Sequence, residues 1–365
     1  MPPVPNSASS VDPHASLLDR ARAALDDQDG ARAAALLGRV LTSDPEPDML
    51  RAVYAGLAHA HELLRDCRAA IRAYEAYLQH FADANDRHAI LSRRGACEAE
   101  IGAWERSASS YRGSREGRDL PPSAMVEALA REGYARFQFE QFEQADVLLA
   151  EAGAVYERSQ EQASERFATY YFVGMARFYR AAILHRAFRE QHIRAGRQEM
   201  DDDYQRKLEL LLSAQDAYKD TIKLKHVFWV SAAGFQWGSM FAEFYDALMY
   251  APVPEWLDGE QRKVYFEALK AQIRPIMNDA IWVFEKNLEV ARKLGYENRF
   301  IERSQLQLNG LQRLLLAGDA LLGMQHPRVA PISEADGPTR PEDLFPAAQR
   351  HDIESRLFVP APTPL

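Results

Sequence analysis

Apolar residues recur along this chain at intervals of three and four. They fall in short blocks that come in pairs, separated by loops of a few residues. That interval is the α-helical one, and no run of alternating Val, Ile and Thr signals a strand. One pair reads Tyr54-x-x-Leu57-Ala58-x-x-His61, then Ala70-x-x-x-Tyr74-x-x-Tyr77. The first block predicts a helix and the second its antiparallel partner. Ala58 and Ala70 are small where two helix axes must approach, and Tyr54, Leu57 and Tyr74 fill the space beside them. Such a pair cannot bury its apolar faces alone and needs stacked neighbours.

The same grammar recurs. Residues 14–47 carry Leu17, Ala21 and Ala24, then Ala33, Leu37 and Val40-Leu41, ending at Asp44-Pro45. Residues 88–119 carry Leu91, Gly95 and Glu98, then Gly102-Ala103-Trp104, Ser107 and Tyr111. Residues 126–159 carry Leu129, Gly133 and Arg136, then Phe142, Ala145, Leu149 and Ala152. Each unit is about 34 residues, and a period of that size marks a helical-repeat array.

From 164 onwards the pattern lengthens. Tyr170, Gly174 and Arg177 begin a helix that runs past His185 toward His192. Gly196 and Asp201-Asp202-Asp203 are expected to end it and start the next, because carboxylates favour a helix N-terminus. Leu208–Leu224 is its partner. Val227–Tyr250 and Gln261–Leu294 form a longer pair around the loop Ala251-Pro-Val-Pro-Glu-Trp256. Pro275 should kink or break the second of these, and Gly295 should stop it. A last helix is expected over Arg299–Leu322. After Gln325 the prolines crowd, from Pro327 to Pro364, and predict a loosely ordered tail in which only Ile353–Val359 is apolar enough to dock. The domain reading is therefore a disordered start (1–13), four helix pairs (14–159), an extended helix-pair block (160–324) and a Pro-rich tail (325–365).

The small-against-aromatic pattern of residues 14–159 resembles the tetratricopeptide repeat, with Arg20, Arg94 and Ser107 departing from it. The resemblance implies an all-α, right-handed superhelix of antiparallel helix pairs, a tetratricopeptide-like α-solenoid with longer C-terminal helices. A second likeness covers about 100 residues. Ala217-Tyr218-Lys219-Asp220, Lys225, Trp229, Ala232-Ala233, Phe241, Ala251-Pro-Val-Pro, Tyr265, Ala280, Phe284, Ala291 and Leu294-Gly295 look like the C-terminal region of tetratricopeptide proteins from gliding and predatory proteobacteria. That group includes envelope proteins associated with adventurous gliding motility, and it implies an exported protein.

Charge and chemistry narrow the function. The formal charge is −9, which argues against a nucleic-acid partner. No signal peptide is legible, so the chain as written reads as cytoplasmic; were a signal missing, the setting would be periplasmic or envelope-associated. No stretch reaches the length of a transmembrane segment. Cys67 and Cys97 have no metal spacing and read as buried thiols, with a disulfide between neighbouring helices left open. His61-Glu62-Leu63-Leu64-Arg65 starts like a zinc-protease helix but has Arg65 where the second His must stand. Gly234 and Gly238 read as a close helix crossing rather than a phosphate loop. No catalytic, cofactor or metal residues are assigned, and no enzyme activity is expected.

The resemblance places a concave groove on the first helix of each pair. Its residues would be His59, Glu62 and Leu63, then Ser92 and Glu100, then Glu127, Tyr134, Phe137 and Gln138, and finally Tyr171, Met175, Phe178 and Tyr179. Such a groove begins acidic, becomes aromatic, and suits a partner protein or an extended peptide with apolar anchors and a basic segment. Tyr134, Phe137, Tyr171 and Phe178 fall at helical spacing and read equally as core. The alternative is a ligand- or lipid-sensing protein whose C-terminal helices enclose a pocket lined by Trp229, Phe235, Trp237 and Trp282.

Overall fold

The computed structural model describes residues 13–317 apart from 44, 117, 118, 195, 250, 254 and 255. The expected disordered start and the Pro-rich tail lie outside the described residues. Among those described, all regular structure is α-helical. The chain divides into two compact units between Leu120 and Pro121, so the fourth helix pair belongs with the longer helices after it.

The first unit holds three pairs: α1 (Pro13–Asp26) with α2 (Gly30–Thr42), α3 (Pro47–Leu63) with α4 (Cys67–His80), and α5 (Arg87–Glu100) with α6 (Trp104–Arg115). The second holds α7 (Pro122–Gln138) with α8 (Phe142–Glu161), α9 (Tyr171–Glu190) with α10 (Arg197–Lys223), α11 (Val227–Met249) with α12 (Gly259–Leu294), and α13 (Arg299–Ala317).

The turn inside each of the first four pairs has one construction. Three residues separate the helices, and the middle one is left-handed: Gln28, Arg65, Gly102 and Glu140. The following N–H reaches back five residues to the carbonyl of the helix's third-last residue, as in Asp66 N to His61 O at 2.9 Å and Gln141 N to Arg136 O at 2.9 Å. This is the Schellman ending of a helix. The donor residue is also the N-cap of the next helix. Asp29 and Asp66 fill that role with a side chain, each accepting from a backbone N–H at 3.0 Å, a cap worth about 1 kcal/mol. These turns recur at intervals of 37, 37 and 38 residues, longer than the expected period. The first helices run 14 to 17 residues.

The small residues sit where the sequence puts them. Ala58, Ala70, Ala33, Ser107 and Ala145 are wholly buried between paired helices, with Tyr74, Tyr111 and Leu149 packed beside them. At Gly133 a Cβ would come within 2.7 Å of Leu149. Gly234 and Gly238 bring α11 onto α12: a Cβ would lie 2.8 Å from Asn287 and 2.6 Å from the Phe284 ring.

Two expectations need correction. The Asp201–Asp203 run does not open a helix. α10 begins at Arg197 behind Gly196, and Asp203 instead bonds Arg194 at 2.8 Å, so the run lies a turn inside. α12 passes unbroken through Pro275. Pro275 and Ala271 are both exposed, so water can take the carbonyl that the missing N–H would have bonded. α12 opens with a full capping box at Asp258 and Gln261, and it ends at left-handed Gly295.

Candidate functional site

In the first unit, His59 and Glu62 share a face of α3 and Ser92 lies on α5. Glu62 turns out to be a structural hub. It accepts from the Tyr74 hydroxyl of α4 at 2.6 Å, bonds the Arg93 guanidinium of α5 through both oxygens, and lies 3.8 Å from Cys97 Sγ. Both charged side chains are nearly enclosed, Arg93 at 9% and Glu62 at 14% exposure. Burial opposes the Arg93 charge, but Tyr74 and Glu62 outweigh it and hold the guanidinium firmly protonated. Burial, then Arg93, pushes His59 below the usual histidine range. Glu62 is thus committed to its neighbours, while half-buried His59 and Ser92 and exposed Glu100 keep accessible surface. Leu63 packs against the cluster of Ala24, Leu25, Ala33 and Ala60.

The third pair shows how its departures from the repeat are absorbed. Ser107 donates to the Gly95 carbonyl at 2.8 Å. Arg94 bonds Ser110 Oγ at 2.9 Å, and Ser110 donates to buried Glu98 at 2.5 Å. Arg106 completes the group at 3.0 Å from Glu98. Polar residues replace an apolar seam here with two guanidinium groups beside the buried carboxylate, although Glu98 Oε1 itself accepts no hydrogen bond.

In the second unit, Glu127, Arg131, Tyr134 and Gln138 line one face of α7 at helical spacing. Glu127 pairs with Arg131 at 2.9 Å. Half-buried Tyr134 packs on Tyr179, with ring centroids 4.9 Å apart. The Gln138 amide nitrogen has no hydrogen-bond partner. On α9, Tyr171 is half-buried; its carbonyl accepts from Trp229 Nε1 at 2.7 Å. Phe137, Met175, Phe178 and Tyr179 are buried. Phe137 sits against Phe142 and Tyr179, and Phe178 against Tyr218 and Trp229. The first helices of this unit press on one another, so these four side chains fill the space between helices, while Tyr134, Gln138 and Tyr171 keep surface.

The four aromatics of the pocket alternative divide. Trp229 and Phe235 are buried among Phe178, Phe228, Phe284 and Phe300. Trp282 is 52% exposed and meets Trp237 edge-on.

The second unit also encloses a polar cluster that the helical pattern alone does not reveal. His185 of α9 is fully buried, 3.1 Å from the Tyr218 hydroxyl and 3.0 Å from Glu243 of α11. Arg189, one turn on, bonds both Glu243 oxygens. Lys207 donates to the carbonyls of Phe188 and Gln191 at 2.7 Å each, closing the end of α9. Burial keeps His185 below its usual range and brings Lys207 down to about 8. Burial also opposes the Glu243 charge, but His185 and Arg189 hold it well below the usual carboxylate range. A carboxylate in the most apolar helix, with His and Arg four apart on another, was the available signal.

Among the described residues, no group of three or more His, Cys, Asp or Glu is placed to hold a metal ion. None of the described helices is long and apolar enough to cross a membrane.

No family model matches the chain, and no curated protein does. Solved structures do. A tetratricopeptide repeat protein from Parabacteroides merdae ATCC 43184 is 14% identical, over 80% of this chain and 98% of that one, with a TM-score of 0.39. The P58(IPK) tetratricopeptide domain is 15% identical, over 85% of this chain and 81% of that one, with a TM-score of 0.25. The all-α helix-pair fold of this chain rests on its own turns and seams.

Proposed function

We propose that the chain is a non-catalytic scaffold that binds a partner protein, or an extended peptide segment of one, against first-helix faces. The observation behind this reading is the α7–α9 surface. There Tyr134, Gln138 and Tyr171 are half-buried above a floor of packed aromatic rings. Aromatic side chains, with few rotatable bonds, lose little entropy on binding. His59, Ser92 and Glu100 of the first unit offer a separate, more polar face. Because Glu62 and Glu127 are already paired, the peptide needs apolar anchors more than basic residues. The C-terminal likeness to gliding-motility proteins supports a bacterial envelope or motility assembly as the setting.

The test is selection of peptides from a random library on the intact chain, followed by calorimetry against Tyr134→Arg and Tyr171→Arg variants of unchanged melting. We expect aromatic-rich peptides whose affinity falls at least about tenfold in the variants, the loss of a central contact. Selected peptides that bind wild type and variants alike would remove the α7–α9 face from the account.

A further inference from the structure

Cys67 is the first residue of α4, and Cys97 lies in the third turn of α5. The two helices pack against each other. Both thiols are buried in one cluster with Ala58, Ala70, Ile71 and Tyr74. Both are free thiols in the structure, the Cys67 side chain acts directly on the Cys97 thiol, and Cys97 also approaches Glu62 at 3.8 Å. The chain has only these two cysteines, so no third thiol competes for either.

We infer that Cys67 and Cys97 are a disulfide-forming pair, closed during folding by an organic disulfide such as oxidised glutathione, which staples α4 to α5. In the first step the Cys67 thiolate attacks the oxidant's S–S bond, forming a mixed disulfide and releasing one thiol. Cys97 then gives up its proton and attacks the Cys67 sulfur of that mixed disulfide, releasing the second thiol. Two electrons pass from the protein to the oxidant, and the two protons leave on the released thiols.

The surroundings set the timing. The Cys67 side chain, burial and the Glu62 carboxylate all push the Cys97 thiol away from ionising. A thiolate is the reacting species, so the Cys97 step is held back in the folded protein, and burial of both thiols keeps an oxidant from the first step as well. Closure belongs to the folding chain, before α5 settles over Glu62. It fits an oxidising compartment, where such staples persist.

The test is refolding of the reduced, unfolded full-length chain in a glutathione redox buffer, beside a fully reducing control. We expect a product lighter by two hydrogens, with no thiol titratable in denaturant. It should carry the helical content of the reduced protein and melt about 10–20 °C higher in the first unit's step, as closing a loop of this length predicts. A Cys67→Ala variant should take up one glutathione or none and gain no stability. Refolded wild type that retains two titratable thiols, carries glutathione adducts, or melts lower when oxidised would overturn the assignment. The last result would mean that the backbone cannot meet disulfide geometry.

Discussion

Single residues here act by what they tie together. Glu62 joins three helices through Tyr74 and Arg93, and its loss strands a guanidinium that is 9% exposed. Glu62→Gln should therefore cost about 3 kcal/mol, because removing one partner of a buried pair leaves the other charge uncompensated. Adding Arg93→Met should recover much of that loss, since a charge that is absent needs no partner. Chemical denaturation of the three variants measures both steps. An Arg93→Met addition that deepens the loss would mean that packing of the guanidinium stem, not its charge, holds α5. The sequence showed Glu62 only as a carboxylate on a first helix. Its partners lie 12 and 31 residues away, and spacing along one helix carries no information about them.

At the scale of elements, α9, α10 and α11 are fastened by ionisable groups, and this makes the second unit pH-sensitive in a definite direction. His185 sits below its ordinary value of 6.5 when folded, so the unfolded chain takes up the proton first. Stability is full above about pH 6.5 and declines as pH falls through it. Glu243, held low, adds a further loss only below its usual 4.5. Lys207 is about 8 folded against 10.5 unfolded. Between those values only the unfolded chain keeps the proton, and stability rises with pH. Melting from pH 7 down to 5.5 should lower the wild-type midpoint more than that of His185→Gln. From pH 8 to 10, Lys207→Met should show a smaller rise than wild type. Parallel curves would mean that neither group titrates across folding. The helices themselves were legible in the sequence because their period and stops are local: Gly295, the alanine seams and the α11 glycines all read correctly. Pro275 misled because its effect depends on which side of α12 faces water.

Across the whole molecule, two compact units meet in sequence at Leu120 and Pro121. Two units with separate cores predict unfolding in two steps rather than one. Glu62→Gln should shift only the first unit's step and Lys207→Met only the second's, and calorimetric scans of each variant would show it. A single transition that both variants move together would mean that the units share their stability. This division was hidden in the sequence because the repeat grammar continues across it: Gly102 and Glu140 mark the same turn on either side. The groove was legible only in part, because helical spacing places a side chain on a face without saying whether another helix covers it. Phe178 and Tyr171 obey the same spacing on α9, and burial separates them.

The three-residue turns carry one more implication. One added residue would rotate the second helix of a pair by about 100° relative to the first and swing its alanine seam away from the partner. The stretches joining one pair to the next in the first unit, 43–46 and 81–86, hold no left-handed residue among those described. They differ in length and end in ordinary helix starts. An insertion there leaves the phase within each helix pair intact, at the cost in 81–86 of the Asp86 bonds to Tyr77 and Arg51, whereas one at Gln28, Arg65, Gly102 or Glu140 does not.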